Sequence, residues 1–265
     1  MNLPTGVYKE KKKSGQIYYR SSITYQGKHI SLGSYESENE AHQAYLDAKN
    51  VLSQPSIGIS HFEERQTCLS FEKWVVIINF RDHKIYIKTP IYLMKHYFIY
   101  YMDPNNYLKF DIDDLFYYSN HKIMRRGGHL FVSDYGMQIN ILSRYGIKNY
   151  AVAGKDYIFI NNDTMDLRYS NIEIRNPYHG VKQRIKAGKV YYEAKVHVNG
   201  DYIVGRYSTD VEAAIAYNKA VLLLKEKNIR KHYYLNYIEN IEEIEYAKML
   251  HKVRISKKIR ELKEL

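Results

Sequence analysis

The chain has 265 residues, 45% of them apolar, a composition that suits globular domains with a sizeable core and excludes a disordered chain. A single cysteine, Cys68, excludes a disulfide framework and a cysteine-based zinc cluster. Lysine and arginine outnumber the acids by 40 to 29, and the net charge of +11 favours a polyanion, nucleic acid before membrane, as partner. No apolar run is long enough to span a membrane, and the charged N-terminus does not read as a signal peptide.

The first predicted unit covers residues 1–52 and consists of three strands followed by a helix. Alternation in YYRSSITY and HISLGSY indicates antiparallel strands, and Gln26-Gly27 supplies the positive φ of a tight hairpin between them. Ser37, with Glu40 three residues later, is typical of a capping box and predicts the start of the helix. We therefore expect a three-stranded antiparallel sheet packed on one helix.

The middle of the chain is predicted to be an α+β domain. Residues 53–65 carry Ser, Pro and Gly and are interpreted as a linker, and the domain follows in residues 66–178. Within it, KWVVIINF and KIYIKT have high β propensity and predict a hairpin that turns at Asp82-His83. The acids of residues 111–118 (DIDDLFYY) predict the cap of a short helix, and further short strands follow.

The pattern of the first unit returns near the other end of the chain, in residues 180–224. Asn199-Gly200 takes the place of the hairpin turn, and Thr209 with Glu212 repeats the capping box. Equivalent positions keep their order, with an offset that drifts only from 174 to 172 residues. They are Gly6/Gly180, Gly15/Gly188, Tyr19/Tyr192, Gly27/Gly200, Gly33/Gly205, Tyr35/Tyr207, Ala41/Ala213 and Tyr45/Tyr217. A second copy of the unit is therefore predicted, as a domain covering residues 179–238.

Both copies resemble the AP2/ERF DNA-binding domain. The resemblance is carried by GV at the start, the NG-type hairpin, LGSY or VGRY, and the helix motif EAA.AY, and it is most specific in the second copy. It implies that the sheet, and not the helix, enters the major groove of DNA. The family's aromatic and arginine readers are mostly absent from the second and third strands, so no target sequence can be transferred.

The resemblance assigns DNA contacts to polar residues on the three strands of each copy. In the first copy these are Lys11, Lys12, Lys13, Arg20, Ser22, Thr24, Lys28 and His29. In the second copy they are Lys182, Arg184, Lys186, Lys195, His197 and Arg206. The simpler interpretation of a lysine run is a solvated turn, and that of a lone histidine a solvated side chain. The second copy has the stronger cationic face.

Residues 157–174, between the copies, read YIFINNDTMDLRYSNIEI, an apolar strand that breaks into a polar turn. With ILSRYGI before it and an AP2-like unit after it, this stretch resembles phage-type HNH homing endonucleases, whose pattern is DHINGDTLDNR.SNLRI. The matching residues are Leu142, Arg144, Ile160, Asn161, Asp163, Thr164, Asp166, Arg168, Ser170, Asn171 and Ile174. The predicted architecture is thus α+β, with two AP2-like units flanking a central HNH-like domain.

The working residues of the HNH pattern are replaced in this chain. The Asp-His pair of the pattern falls on Ile158 and Phe159, its earlier His on Ser143 and its central Asn on Leu167. Phenylalanine cannot accept a proton and isoleucine cannot ligate a cation, so general-base and metal chemistry are lost. We therefore predict a degenerate domain with no catalytic residue and no cofactor.

Two residues of the polar turn, Arg168 and Asn171, are nevertheless predicted to contact DNA. An active site would need rescue by neighbouring residues. Mg²⁺ would then be held by Asp156, Asp163 and Asp166, with His129 or His179 brought close by the fold. This is the enzymatic alternative, a metal-dependent, site-specific nuclease.

The tail, residues 239–265, is predicted to form a helix with Glu and Lys four residues apart and apolar residues along one side. Three roles are open to it: packing on the second unit, forming a homodimer, or lying along phosphates.

The sequence as a whole predicts a catalytically inactive relative of these endonucleases that binds double-stranded DNA. Its role would be transcription regulation or genome organisation, and its location intracellular and DNA-associated, in the host or in a virion. An A/T-biased composition fits a phage or a large DNA virus. The third alternative is a structural or assembly protein with incidental DNA affinity.

Overall fold

The computed structural model describes residues 3–149, 151–229, 233–239 and 241–262. The predicted α+β class is confirmed, because 31% of the residues are helical, 32% lie in strands, and the sheets are small and antiparallel. The chain divides into two compact units, Met1–Ile141 with Asp163–Asn171, and Leu142–Asn162 with Ile172–Leu265. The division therefore differs from the predicted series of domains, since the first sheet and the central sheets belong to one unit.

The first unit begins with the predicted sheet and helix. The elements are β1 (Val7–Lys11), β2 (Ile17–Tyr25), β3 (Lys28–Tyr35) and α1 (Glu38–Ser53). The sheet is antiparallel in the order β1-β2-β3. The predicted capping box is present, because Ser37 Oγ accepts from the Glu40 N–H at 3.2 Å while the Glu40 carboxylate accepts from the Ser37 N–H. Gly6 has φ +79°, and a Cβ there would collide with the ring of Tyr45.

The hairpin predicted for KWVVIINF and KIYIKT is wrong: Phe71–His83 is a helix, α2. Ser70 begins it by accepting from the Lys73 N–H, and Lys84, with φ +63°, ends it in the left-handed conformation. Every residue from 74 to 81 is buried, so the helix shows no polar face and no helical period in the sequence. Its β-branched residues then favour a strand by propensity alone, and packing overrides that preference.

The predicted linker, residues 53–65, contributes Ile57 to the core, with Ile59 and Phe62 packed against it. Ile57 is 2% exposed, and Ile59–Phe62 forms a short 3-10 helix. The buried guanidinium of Arg81 donates to the carbonyls of Val51, Gln54 and Ile57 at 2.8–3.0 Å. The segment is therefore fixed to α2, and α1, the first sheet and α2 share one apolar core.

Two more sheets complete the first unit. One contains β4 (Ile91–Leu93), β5 (Tyr97–Asp103) and β6 (Asn106–Asp111), and the other β7 (Ile123–Arg126), β8 (His129–Asp134) and β9 (Met137–Asn140). The predicted short helix is confirmed as a 3-10 turn, Ile112–Asp114, followed by α3 (Leu115–Tyr118). Asp111 does not cap it, because its carboxylate accepts from the Tyr169 N–H at 2.6 Å.

The second unit contains the second copy of the repeat, with the topology of the first. Its elements are β10 (Tyr157–Phe159), β11 (Ile172–Ile174), β12 (Val181–Lys186), β13 (Lys189–His197), β14 (Asp201–Tyr207), α4 (Asp210–Glu226), α5 (Glu243–Lys252) and α6 (Lys257–Arg260). The order β12-β13-β14 is antiparallel, and the register shifts between Ala194 and Lys195, as it does between Ser21 and Ser22.

The single C-terminal helix predicted for residues 239–265 is wrong. The described part forms α5 and α6 with an extended segment between them, whereas residues 240 and 263–265 lie outside the described ranges. Ile255 and Ile259 are buried in the core of the second unit, and the Ser256 N–H donates to the Val204 carbonyl at 2.7 Å. None of the helices in the described ranges combines the length and apolarity needed to cross a membrane.

Candidate nucleic-acid interface

Each sheet of the repeat packs one face on its helix and turns the other away. We call the second the outer face. In the second copy it carries Lys182, Arg184, Lys186, Lys189, Tyr191, Glu193, Lys195, His197, Asp201, Ile203 and Arg206, as the strand register requires. The alternate residues, such as Ala194 and Val196, are buried toward α4. The six residues predicted to bind DNA therefore lie on one surface.

A buried carboxylate, Glu193, lies at the centre of this outer face and was missed from the sequence. It is 5% exposed, and its Oε2 lies 3.1 Å from Nε of Arg206. Its Oε1 lies 3.7 Å from both Arg184 Nε and Lys195 Nζ. The strand register could have revealed it, because Lys182 and Arg206 stand directly opposite Glu193. Three of the predicted cations thus share one acid, which holds them together.

The edge of the outer face carries a second polar pair. His197 Nδ1 lies 2.9 Å from an Asp201 carboxylate oxygen, and the Tyr233 hydroxyl donates to the His197 carbonyl. The hydrogen bond with His197 is the largest cause that lowers the pKa of the Asp201 carboxyl. Asp201 therefore fixes the imidazole of His197 and Tyr233 fixes its backbone, although the His197 side chain stays exposed.

The outer face of the first sheet is different. Tyr8, Glu10, Arg20, Ser21, Ser22, His29 and Ser31 line a shallow depression of about 260 Å³. Arg20 and Thr24 are exposed, but Ser22 is only 7% exposed, so its predicted direct contact with DNA is not supported. Ser22 follows the shift in register between β2 and β3, and its backbone N–H donates to the Gly6 carbonyl at 2.9 Å.

The lysines of the first copy lie around this face. Lys11, Lys12 and Lys13 are exposed at the first hairpin, where Lys12 Nζ donates to Gln16 Oε1 at 3.2 Å. Lys28, at the second hairpin, lies 4.8 Å from the ring centre of Tyr86. These lysines surround the sheet and do not form a row across it.

The polar turn of residues 157–174 has a structural role. Arg168 donates to both carboxylate oxygens of Asp166, at 2.8 and 2.6 Å, and Asp166 is fully buried. Asn171 is 4% exposed, and its amide donates to the carbonyls of Asp163 and Asp166. The predicted DNA contact of Asn171 is therefore corrected, because its amide closes the turn. Arg168 is committed to Asp166 and lies over the Tyr97 ring at 5.1 Å.

The positions that align with HNH catalytic residues hold no such chemistry. Ile158 and Phe159 lie in β10, Ser143 lies in the 3-10 helix Ile141–Tyr145, and Leu167 is 2% exposed. Asp163 pairs with Lys109 at 3.1 Å. Within the described ranges, no group of three or more His, Cys, Asp and Glu side chains could hold a metal ion.

Asp156 and His179, two of the residues suggested as replacements, make hydrogen bonds to other residues. Asp156 accepts from the Val152 N–H and from the Asn176 amide. Burial lowers the pKa of the His179 imidazole, and the backbone N–H of His179 donates to Asn236 Oδ1 at 2.7 Å. His129 lies in β8 and is exposed.

The outer face of β12–β14 therefore groups more of the cations predicted to bind DNA on one surface than the first sheet does. Comparison with known proteins adds no independent assignment to it. No protein-family model, curated protein or solved structure matches the chain.

Proposed function

We propose that this protein binds double-stranded DNA through the outer face of β12–β14. The observation that carries the proposal is the charge of that face, which combines six lysines and arginines with two carboxylates. The cations are Lys182, Arg184, Lys186, Lys189, Lys195 and Arg206, and the carboxylates are Glu193 and Asp201. The first sheet, with fewer charges, would add a second and weaker contact.

Sheet geometry supports DNA as the polyanion. A narrow antiparallel ribbon fits the major groove, and its lysines and arginines reach phosphates on either side. Arg184, Lys195 and Arg206 are held around the buried Glu193, so little side-chain freedom is lost when they bind. The pairing also lowers the net charge available to phosphates, which limits non-specific affinity.

The resemblance to HNH–AP2 endonucleases fits this proposal, with the nuclease chemistry lost and the sheets retained. Arg168, Asp166 and Asn171 would then preserve the shape of the former site. Regulation of transcription or organisation of a genome is the class of role that such a binder would serve.

Fluorescence anisotropy with a labelled random-sequence duplex, over a series of salt concentrations, tests the proposal. We expect the quadruple variant Lys182→Gln, Arg184→Gln, Lys186→Gln and Lys195→Gln to bind more weakly. The slope of log K against log salt is negative, and its magnitude should be smaller by about 3 to 4 in this variant, since each phosphate contact contributes about 0.9. The matched control removes four exposed lysines from α4–α6, Lys225, Lys248, Lys252 and Lys258.

Equal slopes for the two quadruple variants, or no duplex binding by the unaltered protein at low salt, would refute the proposal. The second result would favour a structural role. Incubation of plasmid DNA with Mg²⁺ or Mn²⁺ tests the enzymatic alternative, because nicking by the unaltered protein would show that a nuclease site persists.

A further inference from the structure

An open cavity of about 620 Å³ lies in the first unit, lined by residues of α2, β5 and the sheet β7–β9. Sites for small molecules have volumes of roughly 300–1,000 Å³. The cavity shares no lining residue with the outer face of either repeated sheet. It is therefore a separate feature that DNA binding by β12–β14 does not explain.

The floor of the cavity is aromatic and apolar. Tyr100 is almost fully buried, and its hydroxyl accepts from the Ile123 N–H at 2.9 Å, which ties β5 to β7. The Tyr101 ring is held edge-on by Phe71, with centroids 5.8 Å apart at 83°. Phe131 lies opposite Met124 across β7 and β8, and both line the cavity. Rings and thioethers of this kind favour a flat, polarisable ligand.

The phenols of the floor stay uncharged at neutral pH. Burial raises the pKa of Tyr100 to about 12, and burial also raises the pKa of Tyr101. Neither ring therefore brings a negative charge that would repel an anion.

The rim of the cavity is cationic. Lys122 forms an ion pair with Glu72, so these two charges compensate each other. Arg126 is exposed and lies on the same face of β7 as Met124. Arg125, the preceding residue, points to the other face, and after the hydrogen bond from Asn106 its charge also helps to lower the pKa of Asp103. A guanidinium group donates in a fixed fork that matches phosphate oxygens. A net positive rim beside an aromatic floor therefore favours a ligand that carries phosphate on a planar ring system.

Polar side chains complete the wall. Ser133 and Gln138 stand opposite each other on β8 and β9, and both line the cavity. A hydroxyl and an amide can each donate and accept, as the edge of a nucleobase requires. Inorganic phosphate would leave the floor uncovered, and an uncharged aromatic ligand would leave Arg126 without an anion.

We infer that this cavity binds a nucleotide, with the base against Tyr101 and Phe131 and the phosphate at Arg126, which lies on the same face of β7 as Met124. The ligand is either a free mononucleotide or one unit of an unpaired strand, since both present the same base and phosphate. Stacking of a base on an aromatic side chain contributes enough to change affinity by about tenfold or more.

Isothermal titration calorimetry on the full chain tests this inference with four probes: dAMP, deoxyadenosine, inorganic phosphate and a hexamer of deoxyadenylate. We expect saturable binding of dAMP, with deoxyadenosine and inorganic phosphate each weaker by about tenfold or more. A hexamer that binds much more tightly than dAMP identifies a strand as the ligand, and equal affinities identify the free nucleotide.

Two variants assign the binding to this cavity. Arg126→Gln should weaken dAMP by about tenfold and leave deoxyadenosine unchanged, because only the phosphate contact is lost. Phe131→Leu should weaken both. Arg65→Gln, at an exposed arginine outside the cavity, is the matched control. No saturable binding of dAMP or the hexamer, or binding that neither Arg126→Gln nor Phe131→Leu changes, would overturn the inference.

Discussion

The two sheets of the repeat have the same framework and opposite charges at their centres. Arg20 occupies in the first sheet the position that Glu193 occupies in the second, one residue after the equivalent tyrosines. Arg20 stands opposite Tyr8 and Ser34, whereas Glu193 stands opposite Lys182 and Arg206. The central residue and its neighbours have changed together.

The residues that hold the framework have not diverged in this way. Val7 and Val181 are buried at equivalent places, and so are Ala41 and Ala213. Side chains directed at the helix must fit a closely packed interior, whereas those on the outer face contact solvent or a partner. One fold therefore supports two surfaces, and similarity of fold does not make their partners the same.

In each unit a cation donates to backbone carbonyls of a distant segment, Arg81 from a buried position and Lys219 from a partly exposed one. This difference in burial predicts the largest effect on stability. Arg81→Met should destabilise the first unit by about 3 to 5 kcal/mol, because three carbonyls, two of them on the buried residues Val51 and Ile57, lose their donor. Urea unfolding followed by the fluorescence of Trp74, the single tryptophan, measures it.

The comparison in the second unit is Lys219→Met. Lys219 donates to the carbonyls of His251 and Val253 from a partly exposed position. Because water can replace it, we expect a loss of about 1 kcal/mol, measured by circular dichroism in urea. Equal losses of unfolding free energy in the two variants would show that burial does not distinguish Arg81 from Lys219.

The inverted central charge predicts an intermediate effect on DNA affinity, with opposite signs in the two sheets. Glu193→Gln removes the acid that competes with phosphate for Arg184, Lys195 and Arg206. We expect the slope of log K against log salt to steepen by about 1. Arg20→Gln should reduce the slope by up to the same amount.

Anisotropy measurements on the labelled duplex from 50 to 200 mM salt separate the two variants. Affinity at low salt should rise about threefold for Glu193→Gln and fall for Arg20→Gln. A fall in both variants would show that Glu193 acts chiefly by positioning the cations and not by neutralising them.

The smallest effect concerns the edge of each sheet. The second sheet pairs His197 with Asp201, whereas the first has Thr24 opposite His29 and no carboxylate there. The pKa of Asp201 is lowered in the folded state, so its contribution to stability is present above the ordinary pKa of about 3.9 and is lost as pH falls through the lowered value. The pair is exposed, so the contribution is small.

Carboxyl carbon NMR over an acid titration measures this shift directly. We expect Asp201 to titrate below the usual aspartate range and to return toward it in the His197→Gln variant. An unaltered protein in which Asp201 titrates at the ordinary value would contradict the hydrogen bond.

Local signals predicted much of the fold. The recurrence of glycines, short strand connections and N-cap residues identified both copies of the repeat, because each depends on residues close together in the chain. Two details predicted for the second copy are wrong. Asn199 and Gly200 do not have the positive φ of Gln26 and Gly27, and the Glu212 carboxylate accepts from Ser208 and does not close a capping box with Thr209. The same logic failed for α2, since a helix that is buried all round has no polar face to set its period. Local signals also failed for residues 53–65, because this segment is held by hydrogen bonds from Arg81, which is distant in sequence.

In the candidate site, too, local patterns were predicted from the sequence, whereas contacts between distant residues were not. The sequence by itself determined that cations alternate along β12 and β13 and that the HNH positions carry Ile158 and Phe159. Only the tertiary structure decided that Glu193 gathers three cations and that the Asn171 amide faces the carbonyls of its own turn. Alternation is a property of one strand, whereas ion pairs and burial depend on which residues other strands bring alongside.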